Sequence, residues 1–479
     1  MQASSAERRR IAKPTFPGHR RGLHRLPASG FGRRGDLKSS SAIPIALFIL
    51  APFSAYAGPE ACLVDLNDAT AYVCSGDQSD GIDVGGGGAN PPAGIETLTV
   101  NSLTTDLGEF VWKDAGSGNR TLSFDMDTYS SAGVSFENTN NTVSGGTATL
   151  NFVGRDIATS EDYALVHSSA GASDTSNPGL DLDVTLGAAP GAGPLTITNP
   201  GGGGVLVDSF GGSGENGTAG DITTTLTSDL DLEFGELALS SAGTGRAGGN
   251  VSLLGQNHVL TLRDGQAPVF LQSIGGTGDF NGAAGRGGDI TLKEIEIRTA
   301  TTFDNRHGIQ ASSWGGAGSP DSGAGGGLGG EVALSGKFDV QTLGNDSDGV
   351  VATSLGGAGA DGSEGAGSGG NSDPVGVLSN GGFVFTLGDK AVGIGAQSIG
   401  GRGANVTTSR NVGLVAFGAD GGASGKSDTV TNAGDVTTRG FQSQGLLGQS
   451  IGGGGGSGGS AFGLFYGKGG SGGVRRRWR

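Results

Sequence analysis

The motif at residues 394–403 reads Ile394-Gly395-Ala396-Gln397-Ser398-Ile399-Gly400-Gly401-Arg402-Gly403, and versions of it occur six times along the chain. Its serine recurs at Ser209, Ser273, Ser313, Ser354, Ser398 and Ser450. The intervals between these serines are 64, 40, 41, 44 and 52 residues. Self-similarity at a period of this size is typical of a solenoid, in which each repeat packs only against its neighbours.

A second motif places a polar residue between a glycine pair and an alternating strand. Its copies read Gly248-Gly249-Asn250-Val251-Ser252-Leu253, Gly287-Gly288-Asp289-Ile290-Thr291-Leu292 and Gly329-Gly330-Glu331-Val332-Ala333-Leu334. Apolar residues also alternate with polar or small ones at Leu122, Phe124 and Met126, at Leu180, Leu182, Val184 and Leu186, at Leu226, Leu230, Leu232 and Phe234, and at Leu260 and Leu262. A half-buried strand requires this period of two, whereas a flexible glycine linker does not.

The sequence therefore predicts an all-β fold, a parallel β-helix with glycine-rich repeats. Aliphatic side chains, Ile399 among them, are expected inside, and Gln397 is expected on the surface. Glycines are expected at the corners, where the backbone turns through positive φ or approaches another segment closely.

Composition leaves one competing interpretation, a disordered glycine-rich wall protein. Glycine supplies 100 of the 479 residues, and only 16% of the residues are charged. Ordinary globular domains have roughly 7% glycine and about 25% charged residues. Because a flexible chain has no reason to keep apolar alternation, the alternation favours the solenoid.

Charge is distributed unevenly along the chain. The net charge is −16, but residues 1–38 hold ten Lys and Arg against two acidic residues, and residues 475–479 hold four Arg. Residues 58–474 therefore carry a net charge of −28. Such an acidic body repels phosphate backbones, so the sequence predicts no nucleic-acid binding.

The N-terminus has the order of a secretory signal. A basic stretch precedes an apolar run at residues 42–53, and Ala55-Tyr56-Ala57 supplies the small residues of a cleavage site. We predict that residues 1–57 are a signal peptide with a basic extension, cut between Ala57 and Gly58. A membrane anchor is the alternative, but the run is short for roughly 30 Å of hydrocarbon, and no span is predicted in the mature chain.

Cys62 and Cys74 are the only cysteines and lie just after the cleavage site. In an exported chain this pair predicts one disulfide that staples the first coil. We divide the mature chain into an N-terminal cap with the first coils at residues 58–200, a glycine-rich repeat solenoid at 201–474, and an aberrant basic tail at 475–479.

The repeats at residues 396–403 and 448–455 resemble the passenger repeats of glycine-rich bacterial autotransporters, and Cys74-Ser75-Gly76-Asp77-Gln78-Ser79-Asp80-Gly81-Ile82 resembles the opening of their mature chains. The resemblance covers most of residues 58–474. It implies a β-solenoid displayed at the surface or outer membrane of a Gram-negative bacterium, or released from it. The family's C-terminal membrane β-barrel has no counterpart here, and we expect a chain truncated before it.

Several motifs match the sequence patterns of catalytic sites but lack the context that those sites require. Gly448-Gln449-Ser450-Ile451-Gly452 fits a nucleophile elbow, but its serine is a repeat position. Gly425-Lys426-Ser427 ends like a phosphate-binding loop, but Asp420 stands where that loop requires glycine. We predict no catalytic and no cofactor-binding residues, and no cofactor.

No metal site is predicted. Gly356-Gly357-Ala358-Gly359-Ala360-Asp361 fits the start of a calcium-binding nonapeptide, but such sites need stacked tandem copies. His167, His258 and His307 are too widely spaced in the sequence for a zinc site. Whether the acidic strand faces bind calcium is left open.

The best enzyme candidate is the alternating acidic set Asp229, Asp231 and Glu233. Carboxylate clusters of this kind perform glycoside chemistry. The simpler interpretation puts Leu230 and Leu232 inside and the three charges outside in water.

We therefore expect a non-enzymatic surface or secreted protein that works in adhesion or matrix interaction, with a host or matrix surface ligand as its partner. The alternative is a secreted β-helix polysaccharide lyase or glycosidase. The ligand and the oligomeric state are not predicted.

Overall fold

A computed structural model describes residues 60–85, 90–114, 119–126, 131–141, 146–158, 163–171, 177–200, 203–212, 217–244, 246–263, 269–278, 284–319, 323–361, 366–405, 416–417, 419–425, 428–457, 467–468 and 470–472. These residues all fall in one compact unit that covers Tyr56–Arg479. The signal peptide with its cleavage site at Ala57 and Gly58 and the basic tail at 475–479 lie outside the described residues.

The described residues form strands and no helix. In chain order the strands are β1 (Leu63–Asp65), β2 (Asp68–Gly76), β3 (Ile82–Val84), β4 (Thr97–Leu103), β5 (Leu107–Asp114), β6 (Arg120–Met126), β7 (Ser131–Asn141), β8 (Thr147–Gly154), β9 (Asp156–Ala158), β10 (Tyr163–Gly171), β11 (Asp181–Ala188), β12 (Leu195–Thr198), β13 (Gly203–Phe210), β14 (Ile222–Leu226), β15 (Leu230–Leu232), β16 (Leu237–Ala242), β17 (Val251–Leu262), β18 (Val269–Ile274), β19 (Ile290–Thr301), β20 (Ile309–Trp314), β21 (Val332–Thr342), β22 (Val350–Leu355), β23 (Val375–Ser379), β24 (Phe383–Thr386), β25 (Val392–Ile399), β26 (Ala416–Phe417), β27 (Thr429–Asn432), β28 (Asp435–Thr438), β29 (Gln444–Ile451) and β30 (Gly467–Lys468).

The chain alternates between two large sheets as it coils. The smaller one, called the second sheet from here on, has eleven strands in the order β3-β5-β7-β10-β13-β16-β18-β20-β22-β25-β29, all parallel. The first sheet has seventeen strands, and one or two of them lie between each consecutive pair of second-sheet strands. Strands β26 and β30 form a separate pair. This is the parallel β-helix that the sequence predicted.

The N-terminal edge differs from the rest of the first sheet. Strands β1 and β2 pair antiparallel, whereas β2 continues into the parallel stack through β4. A disulfide joins Cys62 to Cys74, with their Cα atoms 4.2 Å apart. Cys74 is fully buried in the core at this edge. The disulfide therefore lies at the first coil. That both cysteines are oxidised in the mature protein stays a prediction.

The core is built from columns of inward-pointing side chains, in which each strand contributes the residue at the same register position. In the second sheet one inward column reads Val205, Leu237, Val269, Ile309, Val350 and Ile394, in register from strand to strand and fully buried. Burying one such side chain stabilises a fold by about 1.5–3 kcal/mol. Because every coil adds a member to each column, a chain with many glycines can still bury a long continuous core.

The motif serines form an inward column of their own. Ser169, Ser209, Ser241, Ser273, Ser313, Ser354 and Ser398 are registered neighbours with zero exposure. Ser241 and Ser169 belong to copies that the sequence analysis missed. The interval of 64 residues between Ser209 and Ser273 is therefore two coils, with Ser241 between them.

The expectation that Ile399 points inward is wrong. Strand side chains alternate between faces, and Ser398 takes the inward position with zero exposure. Ile399 therefore lies on the outer face, where it is half-buried. Its counterparts in two other copies are 38% exposed at Phe210 and 39% exposed at Trp314. The buried aliphatic of this strand is Ile394.

The second glycine of each motif is required by close approach between coils. A Cβ atom on Gly401 would lie 1.9 Å from the carbonyl oxygen of Gly357, and one on Gly357 would lie 1.8 Å from that of Gly316. No side chain fits at these distances. Of the two reasons that the sequence offered for corner glycines, close approach is the one that applies at these positions.

Candidate functional site

The motif serines make structural hydrogen bonds. Ser273 Oγ accepts the N–H of Gly288 at 2.7 Å and donates to the carbonyl oxygen of Gly249 at 2.8 Å. The same pair of bonds is made by Ser209, Ser241 and Ser313. Each hydroxyl thus satisfies two backbone groups on adjacent coils, and all of these belong to glycines except the carbonyl group of Leu180, which accepts from Ser209.

Ser450, the serine of the nucleophile-elbow match, belongs to the same column. It pairs with Ser398 across the strands, and its hydroxyl donates to Ser424 Oγ at 2.7 Å and contacts the carbonyl oxygen of Gly425 at 3.1 Å. Gly425 in turn donates its N–H to Ser372 and to Ser398. Lys426 and Ser427 of the phosphate-loop match lie outside the described residues.

The polar residue of the second motif caps the backbone of the following coil. Asp221 Oδ1 accepts the N–H of Asn250 at 2.7 Å, Asn250 Oδ1 accepts that of Asp289 at 2.9 Å, and Asp289 Oδ1 accepts that of Glu331 at 2.9 Å. Asp361, from the calcium-like segment, accepts the N–H of Asn405 at 2.6 Å in the same way. These carboxylates and amides therefore have a structural role.

The acidic set around β15 is paired within the protein. Asp231 is only 6% exposed and forms an ion pair with Arg263. Asp229 lies 3.4 Å from His258, and Glu233 accepts a hydrogen bond from Thr198 at 2.9 Å. The expectation that all three carboxylates face water is wrong for Asp231, because Arg263 covers it. Leu230 and Leu232 are buried as expected.

The three histidines lie in separate environments. His167 is fully buried between Phe136 and the core, with its Nε2 2.9 Å from the carbonyl oxygen of Ala148. Burial lowers the pKa of His167 to about 4. His307 lies 3.3 Å from Asp348 and far along the chain from His258. Within the described part of the chain, no group of three or more His, Cys, Asp or Glu side chains could hold a metal ion.

A groove of about 580 Å³ lies on the outer face of the second sheet, across β5, β7, β10 and β13. A column of Val111, Ser135, Val166 and Leu206, apolar except for Ser135, runs beside a polar column of Lys113, Glu137, Ser168 and Asp208, and both follow the strand register. Glu109 and Tyr163 complete one side. Its volume lies within the range of small-molecule and cofactor sites.

Tyr163 forms a fixed wall of the groove. Its ring lies over Gly203, where an added Cβ would come within 2.2 Å of the ring carbon Cε1. Its hydroxyl donates to Glu236 Oε1 at 3.0 Å. Because Gly203 leaves room for the ring, the tyrosine can reach across β13 to the next coil.

The groove's carboxylates differ in environment. Glu137 accepts a hydrogen bond from Ser135 at 2.9 Å and lies 3.7 Å from Lys113. The pKa of Asp208 is raised to about 6, chiefly by burial and also by the negative charge of Glu137, while a hydrogen bond from Ser168 acts to lower it. Asp208 Oδ1 is enclosed and has no hydrogen-bond partner among the described residues.

This groove was not predicted from the sequence, although one signal for it was present. Asp208 occupies the motif position that is Gln272, Ser312, Thr353, Gln397 and Gln449 in the other copies. It is thus the single charged residue at this position among the six copies that were recognised. Glu137 and Lys113 lie in coils without a recognisable motif, so only the structure brings them beside it.

No family model, no curated protein and no solved structure matches the chain. Among the described residues there is no helix with the length and apolar character needed to cross a membrane.

Proposed function

We propose that this chain is an exported, non-enzymatic β-helix that presents a binding surface for adhesion or matrix interaction, like the passenger region of a Gram-negative autotransporter. One observation carries the proposal: an apolar stripe on the outer face of the second sheet, exposed at Phe210 and Trp314 and half-buried at its other positions. The stripe consists of Phe210, Ala242, Ile274, Trp314, Leu355, Ile399 and Ile451, in register from β13 to β29. Partly exposed apolar surface that continues over neighbouring strands is typical of interaction sites.

The outer face around the stripe carries no charge over six consecutive strands. From β16 to β29 its central column reads Ser240, Gln272, Ser312, Thr353, Gln397 and Gln449. The column on the other side reads Ala238, Phe270, Gln310, Val351, Gly395 and Leu447. In a body with a net charge of −28, a charge-free face of this length supports a surface made for contact, because binding cores are depleted of charge.

The first sheet presents a different outer face. There Glu296 bonds to Lys337 at 2.9 Å and to Arg298 at 2.6 Å, and Lys337 lies 3.5 Å from Asp339. Such a network of exposed ion pairs is typical of a solvated surface. The contrast supports the second sheet as the binding face.

The residues singled out for catalysis contribute structural bonds, which favours binding over chemistry. Ser450 belongs to the serine column, and Asp231 is held by Arg263. The enzyme alternative rests on one observation, the groove with Glu137 and Asp208, whose carboxyl groups have different environments. A reducing-sugar assay on purified protein with polysaccharides discriminates between the binding function and the enzyme alternative. Turnover that disappears in Asp208→Asn would overturn the non-enzymatic proposal.

The direct test is adhesion by protein-coated beads to immobilised extracellular matrix and to cell layers. Ile274→Ser, Trp314→Ser and Leu355→Ser in one variant should reduce bead retention under flow at least tenfold. The matched control carries Leu378→Ser and Phe383→Ser, which remove exposed apolar side chains from the first sheet. Equal retention of both variants and the unchanged protein would contradict the stripe as the binding surface.

A further inference from the structure

We propose that the groove across β5, β7, β10 and β13 is a binding subsite for a neutral, hydroxyl-rich glycan chain that lies along the helix axis. This inference rests on the proposed binding function and names the ligand class of a second site on the same sheet. The groove meets the apolar stripe at β13, where Asp208 and Phe210 lie two residues apart, and it differs from the stripe because its polar column is charged, whereas the stripe's neighbours from β16 to β29 are not.

The groove has the dimensions of an oligosaccharide site. It crosses four neighbouring strands, and three steps of about 4.8 Å between strands make roughly 14 Å along the axis. Polar side chains therefore recur with the spacing of the coils along its length. A linear chain of sugar rings presents hydroxyl groups at a comparable repeat.

The two columns suit the two kinds of surface on a pyranose ring. Val111, Val166 and Leu206 offer an apolar floor for the C–H face of a sugar, and Tyr163 supplies a wall held by its bond to Glu236. The neighbouring polar column offers acceptors and hydroxyl groups to the ring's edge. Ligand sites commonly combine an apolar lining with a few placed polar groups in this manner.

The polar column contains an acceptor without a donor. Asp208 Oδ1 is enclosed by the groove and makes no hydrogen bond to any described residue, although enclosed polar atoms are usually paired. Because this oxygen has almost no accessible surface, a turn of the half-buried Asp208 carboxyl group would present it to a sugar hydroxyl in the groove, which would supply the missing donor. Glu137 lies two strands away through Ser168, so one chain can reach both carboxylates.

Charge decides against two other classes of ligand. Among the described residues that line the groove, Glu109, Glu137 and Asp208 outnumber the cation Lys113, and this balance repels polyuronates and other acidic chains. A basic peptide would be attracted by the same balance. However, Lys113 already lies beside Glu137, so a basic peptide would place a second ammonium group next to this lysine, which would repel it. Hydroxyl groups satisfy the site without this repulsion, and the floor of the groove is uncharged.

The experiment measures binding of the purified protein to immobilised neutral hexasaccharides, namely a β-1,4-glucan, an α-1,4-glucan, a β-1,4-mannan and an N-acetylglucosamine chain, beside hexagalacturonate and oligolysine. We expect binding to at least one neutral chain, no binding to hexagalacturonate, and little dependence on salt. Binding to no neutral chain would overturn the proposal. Binding to oligolysine alone, lost with added salt, would overturn it in favour of a cation-binding groove.

Substitutions in the groove test whether the glycan binds there. Asp208→Asn and Glu137→Gln should each weaken glycan binding about tenfold, because a charged acceptor is replaced by a neutral one. The matched control Asp183→Asn removes an exposed strand carboxylate from the first sheet and should bind normally. Circular dichroism and melting of all three show whether each is folded, and unchanged binding by folded Asp208→Asn and Glu137→Gln would refute the groove.

The outcome is separable from that of the proposed function. Stripe variants should lose bead adhesion to matrix and retain hexasaccharide binding, whereas groove variants should lose hexasaccharide binding. Release of reducing ends from a bound neutral chain would overturn the non-enzymatic function and would leave glycan recognition by the groove supported.

Discussion

Gly288 donates its backbone N–H to the hydroxyl oxygen of Ser273 at 2.7 Å, which joins the end of a second-sheet strand to the glycine corner of the next turn. The same hydroxyl donates to Gly249 on the preceding turn. One side chain thus holds three segments together, and the repeat of this bond along the column explains why serine recurs in the motif.

Ser273→Ala should lower the free energy of unfolding by about 1–3 kcal/mol, because it leaves a buried N–H and a buried carbonyl without their partner. The adjacent outward residue provides the control, and Gln272→Ala should change stability by less than about 0.5 kcal/mol. Urea unfolding followed by circular dichroism measures both. Similar values for the two variants would mean that the serine column does not stabilise the coils.

The two faces of β25 should respond differently to a charge. Ile394→Asp buries an unpaired carboxylate in the core and should destabilise the protein by about 3 kcal/mol or more. Ile399→Asp places the same group on the outer face and should change stability by about 1 kcal/mol or less. Limited proteolysis should cut the first variant and spare the second. Equal sensitivity would place Ile399 in the interior.

Because the coils approach each other closely, Gly401 should not tolerate a side chain, whereas Gly454 should. In Gly401→Ala the new Cβ would lie 1.9 Å from a backbone oxygen, so we expect a loss of at least about 2 kcal/mol. Gly454, in the glycine corner of the next copy, has nothing within 4 Å of the point where a Cβ atom would lie, and Gly454→Ala should have no measurable effect. Thermal unfolding compares the two, and equal melting temperatures would contradict tight stacking of the corners.

The sequence was sufficient for the fold and insufficient for the site, for physical reasons. Alternation and the recurring serine reveal strands and coils, because each depends on residues close together in the chain. Which face Ser398 takes depends on its bonds to Gly425 and Asp428, which are distant in the chain, so Ile399 was assigned to the wrong face. The groove joins Lys113, Glu137 and Asp208, and their proximity arises only from the register of β5, β7, β10 and β13.

His167 should make the protein sensitive to acid. Its pKa is about 4 in the folded state and 6.5 ordinarily, so protonation favours the unfolded chain. Its stabilising contribution is present above pH 6.5 and is lost as the pH falls towards 4, by at most about 3 kcal/mol. His167→Phe should flatten the stability profile over this window. An unchanged profile in His167→Phe would contradict a buried neutral histidine.

Asp208 should act in the opposite direction and link stability to binding. Burial raises its pKa from 3.8 to about 6, so its stabilising contribution is complete below pH 3.8 and is lost as the pH rises through 6. Asp208→Asn should therefore raise the free energy of unfolding by about 1–3 kcal/mol at pH 7.5, with little change at pH 4.

The same Asp208→Asn variant should bind the neutral hexasaccharide more weakly, so that stability and binding change in opposite directions. A residue with a purely structural role would not produce this combination, because its loss would lower both. Asp183 provides the control: partial desolvation and the negative charge of Asp181 raise its pKa, so Asp183→Asn should change stability in the same direction and leave binding intact. Urea unfolding at the two pH values, paired with hexasaccharide binding at pH 7.5, measures both quantities. If Asp208→Asn destabilised the protein at pH 7.5, the carboxylate would be part of the fold's own bonding, and the groove would lose its unpaired acceptor.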